Sequence, residues 1–144
     1  MNKVVFVCLG NICRSPMAEF VMKALDQDES LHIESRATSS WEHGNPVHQG
    51  TQNILRQYAV SFDSSKSSQQ ISRSDFEFFD LILGMDESNV EDLLQVSAGR
   101  YDDKIKLFRP GGVPDPWYTG DFEETYKLVT AGCQDWLQWI KDRQ

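Results

Sequence analysis

The chain has 144 residues, the length of one ordinary domain, and its 40% hydrophobic and 25% charged residues lie near the averages of globular proteins. That balance excludes a disordered or fibrous chain, and a formal net charge of −8 excludes the basic footprint that binding to a phosphate backbone requires, so no nucleic-acid partner is expected. A single domain over residues 1–144 is expected. The longest apolar run near the N-terminus, Val4 to Leu9, is six residues, against roughly 20 needed to span a bilayer, and no signal-peptide cleavage site follows it. The expectation is a cytoplasmic protein with no membrane partner. Three cysteines without a Cys-x-x-Cys pair suggest reduced thiols rather than a disulfide framework or a zinc site.

"KVVFVCLG" (3–10) is apolar and β-branched throughout, as expected of a central parallel strand covered on both faces. After Gly10, the spacing of Met17, Phe20, Val21, Ala24 and Leu25 marks one face of a helix, with Ser15 as its N-cap and Pro16 at the first helical position. "IESRATS" (33–39) reads as a second strand, and Asn45-Pro46 as the opening of a helix that carries Val47, Ile54, Leu55 and Tyr58 on one face. "SFDSSKSSQQISRSD" (61–75) reads as a serine-rich surface loop. A third strand follows in "FDLILGM" (79–85), then an acid-rich helix start in "MDESN" (85–89) and a short helix bearing Val90, Leu93, Leu94 and Ser97. "KIKLF" (104–108) is the fourth strand. The last helix opens on a capping box, Asp121 with Glu124, and carries a stripe from Phe122 through Tyr126, Val129, Cys133, Trp136 and Leu137 to Ile140. Strands alternating with helices imply an α/β fold, an open parallel sheet with helices on both faces. A ligand is expected beyond the carboxyl ends of its strands, where the loop from Leu9 to Arg14 lies.

A loop that joins a strand to a helix N-terminus turns several backbone N–H groups toward one point, and the helix dipole makes that point mildly positive. Leu9, Gly10, Asn11, Ile12, Cys13 and Ser15 would thus form a cradle for an oxyanion. Arg14 adds a planar guanidinium able to grip two phosphoryl oxygens. The same field favours a thiolate, which makes Cys8, at the strand end, the candidate nucleophile. The five residues "LGNIC" between Cys8 and Arg14 let the loop curl around the anion, with sulfur beneath phosphorus and arginine at the equatorial oxygens. Attack by sulfur would give a cysteinyl-phosphate. The cradle supplies the charge stabilisation, so no metal or cofactor is expected.

Cys13 reads either as a passive loop residue or as a resolving thiol for Cys8, and Cys133, within an apolar stripe, as a small core residue. A general acid must come from elsewhere, and Asp115, held between two prolines in "GGVPDPWYTGD" (111–121), is the candidate. Trp117 and Tyr118 beside it would wall an aryl substrate, with Trp41 as a second wall or a packing residue. His32, His43 and His48 read as surface residues.

"VCLGNICRSPMAE" together with "DPWY" strongly resembles the low molecular weight protein tyrosine phosphatases, and "FDLILGMDESN" and the "GNP" after Trp41 extend the likeness through nearly the whole chain. The resemblance implies a four-stranded parallel sheet in a Rossmann-like phosphatase fold and hydrolysis of phosphotyrosine in protein substrates, with inorganic phosphate or other oxyanions as product or inhibitor. It implies Cys8 as nucleophile, Arg14 as phosphate clamp and transition-state stabiliser, and Asp115 as acid and then base. Asn11, Ser15 and Ser35 would hold the loop in shape, Ser15 near the sulfur, and Trp41, Trp117 and Tyr118 would line the entrance. The chain departs from the family where a histidine and an arginine-glutamine pair are common: "KSSQQ" has Lys66 and Gln69 there, and Arg36 replaces a small residue. Protein arginine phosphatases of the family favour threonine at the position of Ile12, which leans this chain toward tyrosine. Arsenate reductases on the same loop use further cysteines, absent here from residues 80–100. The remaining alternative is a non-catalytic oxyanion-binding or redox-sensing protein that uses Cys8 and Cys13.

Overall fold

An apolar run as unbroken as residues 3–8 needs cover on both sides, and the computed structural model, which describes residues 1–144, provides it. The strands β1 (Lys3–Cys8), β2 (His32–Ala37), β3 (Leu81–Gly84) and β4 (Ile105–Leu107) form one sheet, all parallel, in the order β2-β1-β3-β4. Val4, Phe6 and Cys8 of β1 join Leu81 and Leu83 in a core completed by Met17, Val129, Cys133 and Ile140. Val5 and Val7 face the other way, with Ile82, Ile105, Phe76 and Leu93. Period-two alternation therefore divides the strand between two cores, and Cys8 is the last side chain of the larger one.

The six helices are α1 (Arg14–Leu25), α2 (Gln49–Gln57), α3 (Arg73–Phe78), α4 (Glu87–Val96), α5 (Pro116–Thr119) and α6 (Phe122–Lys141). None is long and apolar enough to cross a membrane. α6 lies against α1, and its Gly132 sits where a Cβ would stand 2.3 Å from the ring of Phe108, just after β4, so a glycine is what lets α6 pack this close to Phe108. Because β1 leads out to β2 on one side and β3 to β4 on the other, the loops after β1 and β3 diverge. A crevice opens between them at the carboxyl ends.

The strands fall where the sequence places them, within two residues at each end. The helix starts differ. α1 begins at Arg14 with no side-chain cap, because the Ser15 hydroxyl is turned toward Cys8 instead of back onto the helix. α2 begins at Gln49, capped by His48, whose Nδ1 accepts from the Gly50 N–H at 2.9 Å; Pro46 pairs with Ser67 rather than opening the helix. His48 is half-buried rather than free at the surface: its ring stacks on Phe122 at 5.2 Å and meets Trp117 edge-on at 5.6 Å. The serine-rich segment contains a helix start, since Ser72 and Asp75 form a reciprocal capping box that opens α3. At α6 only half of the expected box forms. Asp121 accepts from the Glu124 N–H, but its own N–H goes to Thr119 Oγ1 at 3.1 Å.

Candidate active site

Cys8 is fixed before any loop begins: Met85 N–H donates to the Val7 carbonyl and Thr38 N–H to that of Cys8, at 3.0 and 2.9 Å. Beyond it the chain must turn sharply. Asn11 takes a left-handed conformation, φ +56°, which asparagine tolerates better than most residues. That turn brings the Asn11 N–H to 3.3 Å from Cys8 Sγ, with Ser15 Oγ on the same sulfur at 3.0 Å. The Asn11 side chain braces the loop, donating to Ser15 and Ser35 hydroxyls at 2.8 and 2.9 Å and accepting from Gln69 N–H at 3.1 Å.

The loop carbonyls are drawn outward by donors from neighbouring segments. Ser39 reaches the oxygen of Leu9, Ser68 that of Gly10, His48 N–H that of Ile12 and Thr51 that of Cys13, at 2.8 to 3.3 Å. With the carbonyls out, the N–H groups face in, and those of Gly10, Ile12 and Cys13 donate to no protein acceptor. They surround the space above the sulfur as an anion cradle.

Arg14 is 3% exposed, and its guanidinium is held on three sides: Asp86 at 2.7 Å, the Val113 carbonyl at 2.9 Å and Asp115 at 3.5 Å. Burial disfavours its charge, but Cys8, Asp86 and Asp115 together outweigh that and hold its pKa above the ordinary value. Asp86, at the end of β3, does two things at once, capping α4 through the Asn89 N–H and aiming Arg14. Its acid-rich surroundings in the sequence signal only the first. Asp115 caps the short α5 through the Trp117 N–H at 3.1 Å and presents its other oxygen toward Arg14.

These groups line one cavity of about 250 Å³, with Cys8 and Arg14 at its base, Asp115 on one side, and Trp41, Trp117 and Tyr118 at its mouth. Trp41 and Tyr118 are each 78% exposed, so the mouth offers aromatic faces to solvent. Ser35 lies behind the cavity wall. Cys13 is buried, and its thiol is pushed up to about 12, chiefly by burial and further by Cys8 and Asp115, so at neutral pH it is protonated. Cys133 is buried in the core, where burial pushes its thiol up as well.

The departures at positions 36, 66 and 69 also find partners. Arg36 is buried against Asp75 and Glu34 at 3.2 and 2.8 Å and donates to the Ser35 carbonyl, as does Lys66 at 2.9 Å; Gln69 supplies the backbone N–H that Asn11 accepts. Glu19, not singled out by any sequence motif beyond its place in "RSPMAE", accepts from the Ser35 hydroxyl at 2.6 Å.

Comparison with known proteins gives a consistent result. The family described as low molecular weight phosphotyrosine protein phosphatase matches residues 3–144. The low molecular weight protein-tyrosine-phosphatase YfkJ of Bacillus subtilis is 40% identical, the match covering 100% of this chain and 99% of that protein. The crystal structure of SP-PTP, a low molecular weight protein tyrosine phosphatase from Streptococcus pyogenes, superposes with a TM-score of 0.95 at 62% identity, over 97% of this chain and 93% of that one. An arginine phosphatase from Drosophila, DARP, superposes at 0.87 with 31% identity, over 96% and 98%. With a family match along nearly its whole length and a parallel sheet that ends in this cradle, the chain belongs to the low molecular weight phosphotyrosine protein phosphatases.

Proposed function

We propose that the chain hydrolyses phosphotyrosine in protein substrates by two successive displacements at phosphorus, with Cys8, Arg14 and Asp115 as the reacting and stabilising groups. One observation carries this reading: Cys8 Sγ lies beneath inward-turned N–H groups, with Arg14 and Asp115 3.5 Å apart in the same cavity. The phosphate oxygens take the free N–H groups and the Arg14 guanidinium, whose two nitrogens match two oxygens. Cys8 thiolate attacks phosphorus; the S–P bond forms as the P–O bond to the tyrosyl oxygen breaks. The departing oxygen takes the proton of the Asp115 carboxyl. Asp115, now ionised, takes a proton from water as that water attacks phosphorus and the S–P bond breaks, which releases inorganic phosphate and restores the thiolate. The three free cysteines support a reducing, cytoplasmic setting.

Removing the acid penalises poor leaving groups most. Asp115→Ala is expected to lower kcat about 10²-fold for a phosphotyrosine peptide, and less for an aryl phosphate whose phenol is more acidic. Equal kcat in variant and wild type on both substrates would remove Asp115 from the mechanism.

The likeness to an arginine phosphatase supports a second reading, in which the bond broken is P–N. Ile12 puts an apolar side chain on the cavity wall where those enzymes favour threonine, and with the aromatic mouth this favours an aryl group. Measured side by side in metal chelator, kcat/KM is expected to be higher on phosphotyrosine than on phosphoarginine peptides. The opposite order would assign the chain to phosphoarginine.

A further inference from the structure

His48 lies outside the cavity and has no part in the chemistry proposed above, yet it touches both of the supports on which that chemistry stands. Its backbone N–H donates to the Ile12 carbonyl at 2.8 Å, which ties it to the loop that forms the cradle. Its ring meets Trp117 of α5 edge-on, centroids 5.6 Å apart, which ties it to the turn that carries Asp115. Two further contacts fix the ring. Nδ1 accepts from the Gly50 N–H at 2.9 Å, so the ring N–H is on Nε2 and the imidazole cannot swing away without uncapping α2. One face stacks on Phe122 at 5.2 Å, and Phe122 lies so close to α2 that a Cβ on Gly50 would stand 2.4 Å from its ring.

On the other side of the contact, α5 is a single turn in which Pro116 is the one buried residue and Tyr118 faces solvent. Trp117 is the ring by which that turn is held, and His48 is the ring it meets. Trp117 also orients the acid: its backbone N–H donates to Asp115 Oδ1 at 3.1 Å, which leaves Oδ2 on the side of Arg14, 3.5 Å from a guanidinium nitrogen. We propose that His48 is a positioning residue for the general acid: by bracing Trp117 against the loop after β1, it sets the distance between Asp115 and a phosphate held over Cys8. Stacked and edge-on ring pairs at these separations attract directionally as well as by contact area, which is what a brace requires. Proton transfer to the leaving oxygen needs the carboxyl within about 3 Å of it. A displacement of about 1 Å therefore impairs that transfer, while sulfur, cradle and Arg14 stay where they are.

The inference rests on Asp115 being the general acid, and the test separates the two. His48→Asn keeps a side chain able to cap α2 and the backbone bond to Ile12, but removes the ring; His48→Phe keeps a ring and loses the cap. Both are compared with the wild type, Asp115→Ala and the double variant Asp115→Ala/His48→Asn on two substrates, with thermal unfolding recorded alongside. Phenyl phosphate has a leaving group that needs a proton; a dinitrophenyl phosphate has one that does not. The quantity read is kcat/KM, which covers the first displacement. His48→Asn is expected to lose about tenfold on phenyl phosphate and less than about twofold on dinitrophenyl phosphate. His48→Phe is expected to unfold at a lower temperature and to keep the wild-type ratio between the substrates. The double variant is expected to lose nothing beyond Asp115→Ala, because both changes act on one proton transfer. An equal loss on both substrates in His48→Asn, losses that add in the double variant, or a ratio changed as much by His48→Phe as by His48→Asn would each overturn the brace. If His48→Asn does not fold, Phe122→Leu, which removes the ring on which His48 rests, is expected to show the same selective loss, and its absence overturns the proposal. Equal slowing of both substrates by Asp115→Ala would overturn the acid itself.

Discussion

Cys8→Ser is expected to lower kcat for an aryl phosphate on the order of 10⁴-fold or more, as loss of a nucleophile does in other covalent mechanisms. The reason is chemical rather than steric. A serine oxygen fits among the same partners, the Asn11 N–H and the Ser15 hydroxyl, so the loop keeps its shape. What is lost is the ready ionisation of sulfur, which the cradle and Arg14 can exploit and which a hydroxyl does not offer near neutral pH. Two measurements check this: steady-state hydrolysis in chelator, and mass spectrometry of enzyme quenched during turnover. A phosphorylated species is expected in the wild type and none in the variant. Retention of a tenth of wild-type activity by Cys8→Ser would place the nucleophile elsewhere.

Arg14→Lys is expected to lower kcat by about 10²- to 10³-fold, although the charge is kept. The guanidinium touches Asp86 and the Val113 carbonyl with one nitrogen and turns the other toward Asp115. A single ammonium cannot span those positions and also meet two phosphoryl oxygens. Because charge on the equatorial oxygens matters most while phosphorus changes partners, the loss falls on kcat more than on KM. The comparison also carries a stability cost, since Asp86 and Asp115 lose part of their counter-charge in a buried place. Thermal unfolding reports that part, and kcat measured well below the transition reports the other. A kcat within threefold of wild type would show that position 14 needs only a positive charge.

The elements legible in the sequence are those whose cause is local. β1 announces itself because both its faces are covered, and α6 because its stripe is long. α3 was legible too, in the Ser72 and Asp75 spacing, but the serine-rich composition around it reads as loop. The start of α1 misleads for a different reason: Ser15 has the residue type of a cap, and its hydroxyl is claimed by a sulfur seven positions earlier. Motif and resemblance bring Cys8, Arg14 and Asp115 into view, and the structure gathers all three in one cavity. What stays hidden is pairing over distance. Nothing local in "MDESN" says that Asp86 will face Arg14 across 72 positions, and nothing near "WEHGNPVH" says that His48 will stack on Phe122. Such contacts are products of strand order, which a single sequence displays only after the fold is known.

Cys8 and Asp115 stand on supports of very different stiffness. The sulfur hangs from the central strand, laced on both edges to its neighbours, so it can shift only if the sheet does. Asp115 sits on a short surface turn with exposed aromatic neighbours, tied to the rest of the molecule by the buried Pro116 and by its own approach to Arg14. One pole of the site is therefore an anvil and the other a surface turn: a bulky side chain entering the mouth meets the outer turn and its aromatic rings before it meets the sheet that carries the sulfur.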